Sequence, residues 1–383
     1  MRRNPDPPVP QRERAILVCL EIGRGAAPDR AEEASSLVES AGAEVCEVLA
    51  GRRDRPDAAT FAGSGKVEEI LAACRLHGAK NVVFDHALTA VQIRNLEKQL
   101  SEGGPEVRVY DRTDLILEIF AQRARSHEGK LQVELARLEH LSTRLVRGWT
   151  HLERQRGGLS KTGGPGEKQI ELDRRMIGER VKKLKERLKK VARVRATQRA
   201  ARTRSGMLRV SIVGYTNAGK STLFNRLTRA GAYVADQLFA TLDPTTRRLH
   251  LGEGVSCSLS DTVGFVRDLP HGLVAAFRST LEETVHADLL LHVVDGSNPH
   301  YEEQVDAVNV VLAEIGAAEI PQIVVWNKID RIPGVEPEVV RDPCGKILKI
   351  KASAVSGAGL DAIREALAEV ARETDPRALA PAA

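Results

Sequence analysis

The fold of this chain is decided by one glycine-rich stretch, Gly214-Tyr215-Thr216-Asn217-Ala218-Gly219-Lys220-Ser221. A β-branched run over residues 208–213 leads into it, and an apolar-periodic run over residues 221–227 follows it. A strand, Gly-x-x-x-x-Gly-Lys-Ser and a helix in this order predict a loop that binds phosphate. A chance glycine-rich turn is the alternative, and the strand and helix on either side argue against it.

Each residue type in this stretch suits phosphate chemistry. Gly214 and Gly219 allow backbone conformations in which successive N–H groups converge on phosphate oxygens. The helix that starts near Lys220 adds the positive end of its dipole. We expect Lys220 to supply a point charge for the β- and γ-phosphates and the Ser221 hydroxyl to be a ligand of Mg²⁺. The expected phosphate contacts are residues 214–221, Thr222 and Gly264.

A second glycine-rich segment, residues 63–67, lacks this pattern. Thr60 stands where the leading glycine would be, and Val67 stands where the magnesium-binding hydroxyl would be. No strong β run precedes the segment, so we interpret it as the start of a helix. A contact with phosphate or RNA is the alternative.

Two segments in the last third of the chain predict the base. Asn327-Lys328-Ile329-Asp330 follows the apolar run 323–326, at the carboxyl end of a predicted strand, where open α/β sheets bind ligands. The Asp330 carboxylate can accept hydrogen bonds from the ring N–H and amine of guanine, and adenine lacks this pair of donors. We expect Asn327 to bond the other base edge and the Lys328 stem to lie across the ring. The second segment is Ser353-Ala354-Val355, whose backbone would contact the guanine oxygen.

The magnesium side of the site is predicted from two loops. Residues 255–260 have the pattern of a strand that ends at Asp261, whose carboxylate would hold Mg²⁺ through water. Switch II comprises Asp261, Thr262, Val263, Gly264 and Phe265. Switch I, a loop that must close over the nucleotide, comprises Phe239, Ala240, Thr241, Leu242 and Asp243. We expect Thr241 to supply the second magnesium hydroxyl, with Thr245 and Thr246 as the alternatives. In this order, these segments predict hydrolysis of GTP.

Two residues depart from common GTPase patterns. Phe265 occupies the place where many GTPases carry a glutamine that orients water, and a phenyl ring cannot orient water by hydrogen bonding. Either other groups position the water, or turnover is slow until a partner completes the site. The amide oxygen of Asn217 is a candidate ligand for a potassium ion; the alternative is that Asn217 only caps the loop.

Length and composition indicate a cytoplasmic protein of several domains. The 383 residues suggest two or three domains, and five scattered cysteines without Cys-x-x-Cys spacing fit reduced thiols. No apolar run reaches membrane-spanning length, so we expect no integral membrane segment; peripheral association with a membrane is compatible with this. We expect disorder at residues 1–14 and 375–383.

The first third of the chain predicts a smaller α/β domain, because residues 15–125 alternate short apolar runs with helical stretches. The predicted strands are residues 15–20, 43–48, 81–84 and 107–110, and the predicted helices lie near residues 29–41, 66–77, 89–101 and 113–125. The fold class is therefore α/β: this domain, a long antiparallel helical hairpin at 126–204, and a P-loop GTPase domain at 205–374 with a parallel-rich central sheet.

The hairpin is predicted from two apolar stripes. They consist of Leu131, Leu135, Leu138 and Leu145, and of Ile177, Val181, Leu184, Leu188 and Val191. The second stripe repeats at four–three spacing, as in a coiled coil, so two such helices should fold back on each other. A basic, glycine-rich connection at 154–168 joins them, and loops of this length are usually functional.

The second predicted helix is strongly basic, whereas a balanced solvated face would mix signs. We expect an arm that meets the phosphate backbone of structured RNA, since few aromatic residues are present to stack on single-stranded bases. A solvated helix and a flexible linker are the alternative. The predicted RNA contacts are Arg154, Arg156, Lys161, Lys168, Arg174 and Arg175.

From about residue 15 to 370, the chain resembles the HflX family of ribosome-associated GTPases. Beyond the GTPase motifs, the resemblance lies in residues 112–124 and 128–135, in Gly164-Pro165-Gly166-Glu167 with the charged residues after it, in residues 239–245 and in the hydrophobic residue Phe265. The chain departs from the family pattern at Gly163, where an arginine is usual, and at Lys168, where a threonine is usual.

The resemblance implies a monomeric, cytoplasmic GTPase that uses Mg²⁺ and binds the large ribosomal subunit near its peptidyl-transferase region. It would act in ribosome splitting or in the rescue of stalled ribosomes, and the ribosome would complete its catalytic site. The alternative is an assembly or stress factor that uses GTP as a slow occupancy timer without splitting ribosomes. A GTPase unrelated to RNA is a third option. Family members have also been linked to ATP, which Asp330 argues against as the main substrate.

Overall fold

The computed structural model describes residues 12–23, 30–148, 165–203, 207–229, 238–239, 241–252, 254–267, 273 and 278–374. Contacts divide the chain into two compact units. The first contains residues up to 122 together with 141–174, and the second contains residues 123–140 together with those from 175 onward.

The first unit contains a four-stranded sheet, which confirms the parallel sheet predicted from the alternating pattern. Its strands are β1 (Glu13–Ile22), β2 (Ala43–Arg53), β3 (Asn81–Phe84) and β4 (Arg108–Tyr110). Their spatial order is β2-β1-β3-β4, and every pairing is parallel. The helices that alternate with them are α1 (Arg30–Ser40), α2 (Ser64–His77), α3 (Ala90–Leu100) and α4 (Arg112–Arg123).

The core of this sheet consists of the apolar runs that predicted its strands. Ile16, Val18, Val82 and Phe84 are fully buried and pack with residues of α2 and α3. The glycine-rich segment at 63–67 begins α2, and the Lys66 ammonium donates to the carbonyl of Ala50 at 2.8 Å. Its lysine therefore serves the local fold.

The second unit contains a seven-stranded sheet in the order β10-β11-β9-β8-β5-β7-β6. Its strands are β5 (Leu208–Val213), β6 (Thr245–Gly252), β7 (Val255–Asp261), β8 (Leu289–Asp295), β9 (Gln322–Asn327), β10 (Glu338–Arg341) and β11 (Ile347–Lys351). The inner pairings are parallel, and the two edge strands β6 and β10 are antiparallel to their neighbours. The sheet is therefore rich in parallel pairings, as predicted.

Helices cover this sheet and bury its apolar side chains. They are α7 (Lys220–Thr228), α8 (Arg278–Val285), α9 (Tyr301–Glu314) and α10 (Leu360–Thr374). Leu223 and Phe224 of α7 and Leu367 of α10 are fully buried in one core with β5, β7 and β8. Because the inner strands are parallel, their carboxyl ends meet at one edge of the sheet.

Two long helices, α5 (His127–Gly148) and α6 (Pro165–Thr203), contribute residues to both units. Leu131, Leu135 and Leu138 of α5 pack with Leu188, Leu184 and Val181 of α6. Both helices keep the four- and three-residue spacing of a coiled-coil seam in this cluster. Ion pairs from Glu134 to Arg180 and from Glu139 to Lys185 lie beside these apolar contacts.

The start of α6 differs from the predicted loop boundary. The sequence placed residues 154–168 in one connection, whereas the helix begins at Pro165. Proline suits the first helical position because its fixed φ matches the helix and its missing N–H would have no partner there. Lys168 is therefore a helical residue. None of the described helices is both long enough and apolar enough to cross a bilayer.

Candidate functional site

The phosphate loop joins β5 to α7 at the carboxyl edge of the seven-stranded sheet. Gly214 has φ 146° and Gly219 has φ 95°, so both adopt conformations that side chains disfavour. A Cβ on Gly214 would also overlap the carbonyl oxygen of Val293 in β8. The backbone of the loop is thus held close to the neighbouring strand, and Thr222 lies half-buried in the first turn of α7.

Lys220 is buried at the end of this loop, where it is only 6% exposed. Its ammonium donates to the carbonyl of Tyr215 at 2.6 Å. Burial lowers the pKa of Lys220 to about 8, although the carboxylate of Asp261 acts in the opposite direction. A buried ammonium with a single backbone acceptor gains strongly from an added anion, which is the chemistry of a phosphate ligand.

Three oxygen-bearing side chains meet beside Lys220. The Ser221 hydroxyl lies 2.6 Å from the Thr241 hydroxyl and donates to Asp261 Oδ2 at 2.7 Å. The Thr241 hydroxyl also donates to Asp261 Oδ2, at 3.1 Å. Thr246, one of the two alternatives, instead bonds the Ser260 hydroxyl at 2.9 Å within the β6–β7 pair.

The donor set fits a magnesium ion. Asp261 Oδ1 is buried and has no hydrogen-bond partner among the described residues. Burial raises the pKa of Asp261, against the opposing hydrogen bond from Ser221 and the charge of Lys220. A cation would satisfy this carboxylate, and hydroxyl and carboxylate oxygens are ligands that Mg²⁺ prefers.

Switch II pairs with the phosphate loop through its backbone. The Thr216 N–H donates to the Phe265 carbonyl at 2.8 Å, and the Phe265 N–H donates to the Gly214 carbonyl at 3.2 Å. The sequence pattern placed the Thr216 N–H among the phosphate donors, whereas here it bonds the protein, because Tyr215 and Phe265 form a parallel β-bridge. The Phe265 ring is fully buried, so it is packed in the core and does not face solvent. Thr262 and Val263 are also buried.

Asn217 has a conformational role that the sequence pattern did not reveal. Its φ of 60° is left-handed, and its side chain is exposed. Asparagine tolerates the left-handed region better than most residues. The turn alone therefore accounts for an asparagine at this position.

The base-recognition segment lies at the end of β9. The Asn327 amide donates to the Ala218 carbonyl at 2.8 Å and accepts from the Ala354 N–H at 2.9 Å. The sequence assigned Asn327 to a base edge, whereas both ends of its buried amide bond the protein. Asn327 therefore connects the phosphate loop to the segment at 353–355.

Lys328 and Asp330 are held by partners on neighbouring strands. The Lys328 ammonium forms an ion pair of 2.7 Å with Asp295, which pairs with Asn327 in the β8–β9 register. The buried Ser353 hydroxyl donates to Asp330 Oδ1 at 2.5 Å. Asp330 itself is exposed.

Two site residues were missed by the sequence analysis, Asp295 and Arg226. Arg226 of α7 donates to the carbonyls of Ala354 and Val355 and so secures the second base segment. The end of a strand beside the Asn-Lys-x-Asp strand is a signal that could have identified Asp295. Arg226 is one of many arginines, and its spacing carries no such signal.

Switch I is described only in some of its residues. Phe239 and Leu242 are each 2% exposed, and Ala240 lies outside the described residues. Asp243 does not face the metal cluster. Its carboxylate accepts hydrogen bonds from the backbone N–H groups of Arg125 and Ser126.

The predicted RNA contacts are only partly described. Arg154, Arg156 and Lys161 lie outside the described residues, and the side chain of Lys168 is not described. Arg174 and Arg175 are exposed on α6, and Arg175 forms an ion pair of 3.2 Å with Glu179.

Family models match three consecutive regions of the chain. They are described as "GTP-binding GTPase N-terminal" over residues 28–121, "GTP-binding GTPase Middle Region" over residues 123–202 and "50S ribosome-binding GTPase" over residues 209–328. The crystal structure of the SsGBP and GDP complex has a similar fold, with a TM-score of 0.52 and 24% identity, over 94% of this chain and 99% of that chain.

Curated relatives match over most of their length. GTPase HflX of Escherichia coli (strain K12) is 52% identical over 93% of this chain and 82% of the relative. GTPase HflX of Magnetococcus marinus is 50% identical over 91% and 80%, and that of Caldanaerobacter subterraneus is 46% identical over 95% and 82%. The identity, the coverage and the GTPase domain together show that this chain belongs to the HflX family of GTPases, binds guanine nucleotide and hydrolyses GTP.

Proposed function

We propose that the chain is a cytoplasmic, Mg²⁺-dependent GTPase that binds the large ribosomal subunit and acts in the splitting of ribosomes or the rescue of stalled ones. The observation that carries the nucleotide half is the cluster of Ser221, Thr241 and Asp261, with a buried carboxylate oxygen that lacks a partner among the described residues. These residues would hold Mg²⁺, which neutralises charge on the β- and γ-phosphates when bound.

The chain's own residues account for binding and orientation of GTP. Lys220 would place its ammonium on the phosphates, and the Gly264 amide would contact the γ-phosphate. Asp330, fixed on one side by Ser353, would accept from the two guanine donors. Lys328, fixed by Asp295, would lay its stem on the ring, and the backbone of residues 353–355 would meet the guanine oxygen.

The ribosome half of the proposal is supported by the charge on α6. Exposed basic side chains along it have no carboxylate partner among the described residues; they include Lys182, Lys183, Lys189 and Lys190. Two other basic residues of α6, Arg180 and Lys185, form ion pairs with Glu134 and Glu139 of α5. Unpaired cations on a rigid helix suit a phosphate backbone, and the family model that matches the GTPase domain is described as a 50S ribosome-binding GTPase.

The buried Phe265 favours the second candidate, a slow timer. With no hydrogen-bonding side chain at this position, the attacking water needs another positioning group. A timer would bind large subunits in its GTP state and leave intact ribosomes whole. The splitting enzyme would be stimulated by ribosomes and would separate their subunits.

GTP turnover should be measured with and without purified large subunits, together with light scattering of intact ribosomes. We expect stimulation by orders of magnitude and GTP-dependent loss of scattering. Intact scattering together with binding of large subunits in the GTP state would leave only the timer. Failure of the GTP-bound chain to bind large subunits would exclude both candidates. Repeating turnover in sodium and potassium buffers tests Asn217: equal rates would leave it only its conformational role.

Charge reversal tests the α6 contact separately. Replacing Lys182, Lys183 and Lys190 with glutamate should weaken subunit binding and reduce its dependence on salt. Matched reversals at Lys98, Arg247 and Lys346, which are exposed elsewhere, should have little effect. Equal behaviour of the two triple variants would contradict the role of α6.

A further inference from the structure

Switch I is attached to the first helix of the hairpin. Asp243 Oδ2 accepts hydrogen bonds from the backbone N–H of Arg125 at 2.9 Å and from that of Ser126 at 2.8 Å. The Ser126 hydroxyl donates to the other oxygen, Asp243 Oδ1. These bonds join residues 117 or 118 positions apart in the sequence.

The attachment point is the N-terminal end of α5. The Ser126 hydroxyl accepts from the Gly129 N–H at 2.8 Å, which is the hydrogen bond of a helix cap. The serine cap satisfies one N–H group of the first turn. The carboxylate of Asp243 therefore adds a second interaction, which is favoured by the positive end of the helix dipole.

The contact requires a residue without a side chain on α5. A Cβ at position 129 would overlap Asp243 Oδ1 and crowd the Ser126 hydroxyl at 3.1 Å. Gly129 is the third residue of α5, and its lack of a side chain leaves room for the Asp243 carboxylate.

Asp243 is two residues from Thr241, and the segment between them is anchored. The Thr241 hydroxyl lies on Ser221 and Asp261, and the Leu242 side chain is 2% exposed. Three consecutive residues thus face the metal cluster, the core and α5 in turn. The backbone between Thr241 and α5 is therefore restrained at each of these residues.

We propose that Asp243 is a positioning residue that couples the closed state of switch I to the N-terminal end of α5. The inference rests on the proposed function, in which Thr241 is a ligand of the nucleotide-bound metal. Because the α5 contact coexists with the metal-ligating position of Thr241, it stabilises the closed loop, which the γ-phosphate requires. Coupling is reciprocal, so displacement of α5 by a bound partner changes the affinity for GTP.

The test compares affinities for a non-hydrolysable GTP analogue and for GDP, each as a function of Mg²⁺ concentration. The full-length Asp243→Ala variant should lose about fivefold to tenfold affinity for the analogue and need more Mg²⁺, with less than about a twofold change for GDP. Asp243→Asn, which keeps an acceptor for the two N–H groups, should fall between Asp243→Ala and the unsubstituted chain.

A second variant acts from the helix side and leaves switch I unchanged. Gly129→Ala should also lower the affinity for the GTP analogue and leave the affinity for GDP nearly unchanged. Its matched control is Gly178→Ala in α6, where a Cβ meets nothing within 4 Å and both affinities should stay unchanged. Thermal unfolding of all four variants shows which of them remain folded. If Asp243→Ala does not fold, the test uses Gly129→Ala.

The outcomes distinguish failure of the coupling between Asp243 and α5 from failure of the proposed GTPase function. Equal loss for both nucleotides, or no loss in Gly129→Ala, would overturn the coupling. If the unsubstituted chain binds the analogue without any dependence on Mg²⁺, the proposed metal site fails instead. A Gly178→Ala variant with the same split as Gly129→Ala would also overturn the coupling.

Discussion

The two sheets of this protein differ at the carboxyl ends of their parallel strands. In the four-stranded sheet, Asp85 follows β3 and Arg112 begins α4 just after β4, and they are 2% and 4% exposed. Arg112 forms ion pairs with both Asp85 and Glu33, and Arg30 also pairs with Asp85. Charge at this edge is compensated by the chain itself.

In the seven-stranded sheet, the corresponding edge contains buried polar atoms that lack hydrogen-bond partners among the described residues. Asp261 Oδ1 and the Thr216 hydroxyl are buried without a hydrogen-bond partner among the described residues. Lys220 has one backbone acceptor at the same place. Burial of such groups is costly unless a ligand completes them. The comparison teaches that buried charge balanced by ion pairs within the chain does not identify a site. A buried carboxylate oxygen without a hydrogen-bond partner among the described residues, beside a buried ammonium with one backbone acceptor, points to one.

The largest expected effect is on the self-compensated edge. Arg112→Met should lower the free energy of unfolding by about 3 kcal/mol, because it removes the buried cation that Glu33 and Asp85 share and leaves the buried Asp85 carboxylate with Arg30 alone. Chemical denaturation followed by circular dichroism measures this loss. The control Arg341→Met removes an exposed ion pair with Glu369 and should cost much less. Similar losses in both variants would contradict the comparison.

The second effect is on nucleotide affinity at the carboxyl edge of the seven-stranded sheet. Lys220→Ala should weaken GDP and GTP binding by about 100-fold or more, since charge-assisted hydrogen bonds to two phosphates are lost. Isothermal titration calorimetry measures the affinities. Lys66→Ala, at the lysine of the other glycine-rich segment, should leave them unchanged. Retained affinity in Lys220→Ala would refute the phosphate-loop assignment.

A third variant sharpens the assignment of the base. Asp330→Asn should lower GDP affinity by about tenfold or more and favour xanthosine diphosphate, because the amide donates where the carboxylate accepted. Competition binding gives the ratio of the two affinities. Asp342→Asn, at a carboxylate that caps the β10–β11 turn, is the control. An unchanged ratio in Asp330→Asn would argue against recognition by this residue.

The smallest effect is a dependence of stability on pH. Burial lowers the pKa of His292 in β8 to about 4, so the folded state holds this imidazole neutral. The unfolded chain binds a proton at about pH 6.5, so stability is complete above that pH and falls as pH drops towards 4. Between about pH 6.5 and 5.5 we expect a loss of about 1 kcal/mol that is absent in His292→Leu. An identical pH profile in both proteins would contradict this.

The sequence predicted most of the fold because apolar runs determine which segments are buried. The strands at Asn81–Phe84 and Val255–Asp261 agree closely with the predicted runs. The start of α6 was placed too late, because glycine and proline indicated a loop where Pro165 in fact begins a helix.

The places of the motif residues were predictable, as for Lys220 at the start of α7 and Asp330 just after β9, and their roles in binding stay predictions. Contacts across the sheet were not predictable, because they depend on strand register. The pair Lys328–Asp295 and the two bonds of the Asn327 amide are of this kind. The attachment of Asp243 to Ser126 depends on tertiary packing and has no local pattern.

The backbone bridge between Tyr215 and Phe265 joins the phosphate loop to switch II. Amides of the phosphate loop that lack a nucleotide would ordinarily have to recruit water or unfold locally. Here, switch II supplies a carbonyl and an N–H group to that loop, so part of its backbone is held by the protein itself. The shape of the phosphate loop is therefore set by a neighbouring segment as well as by its own glycines.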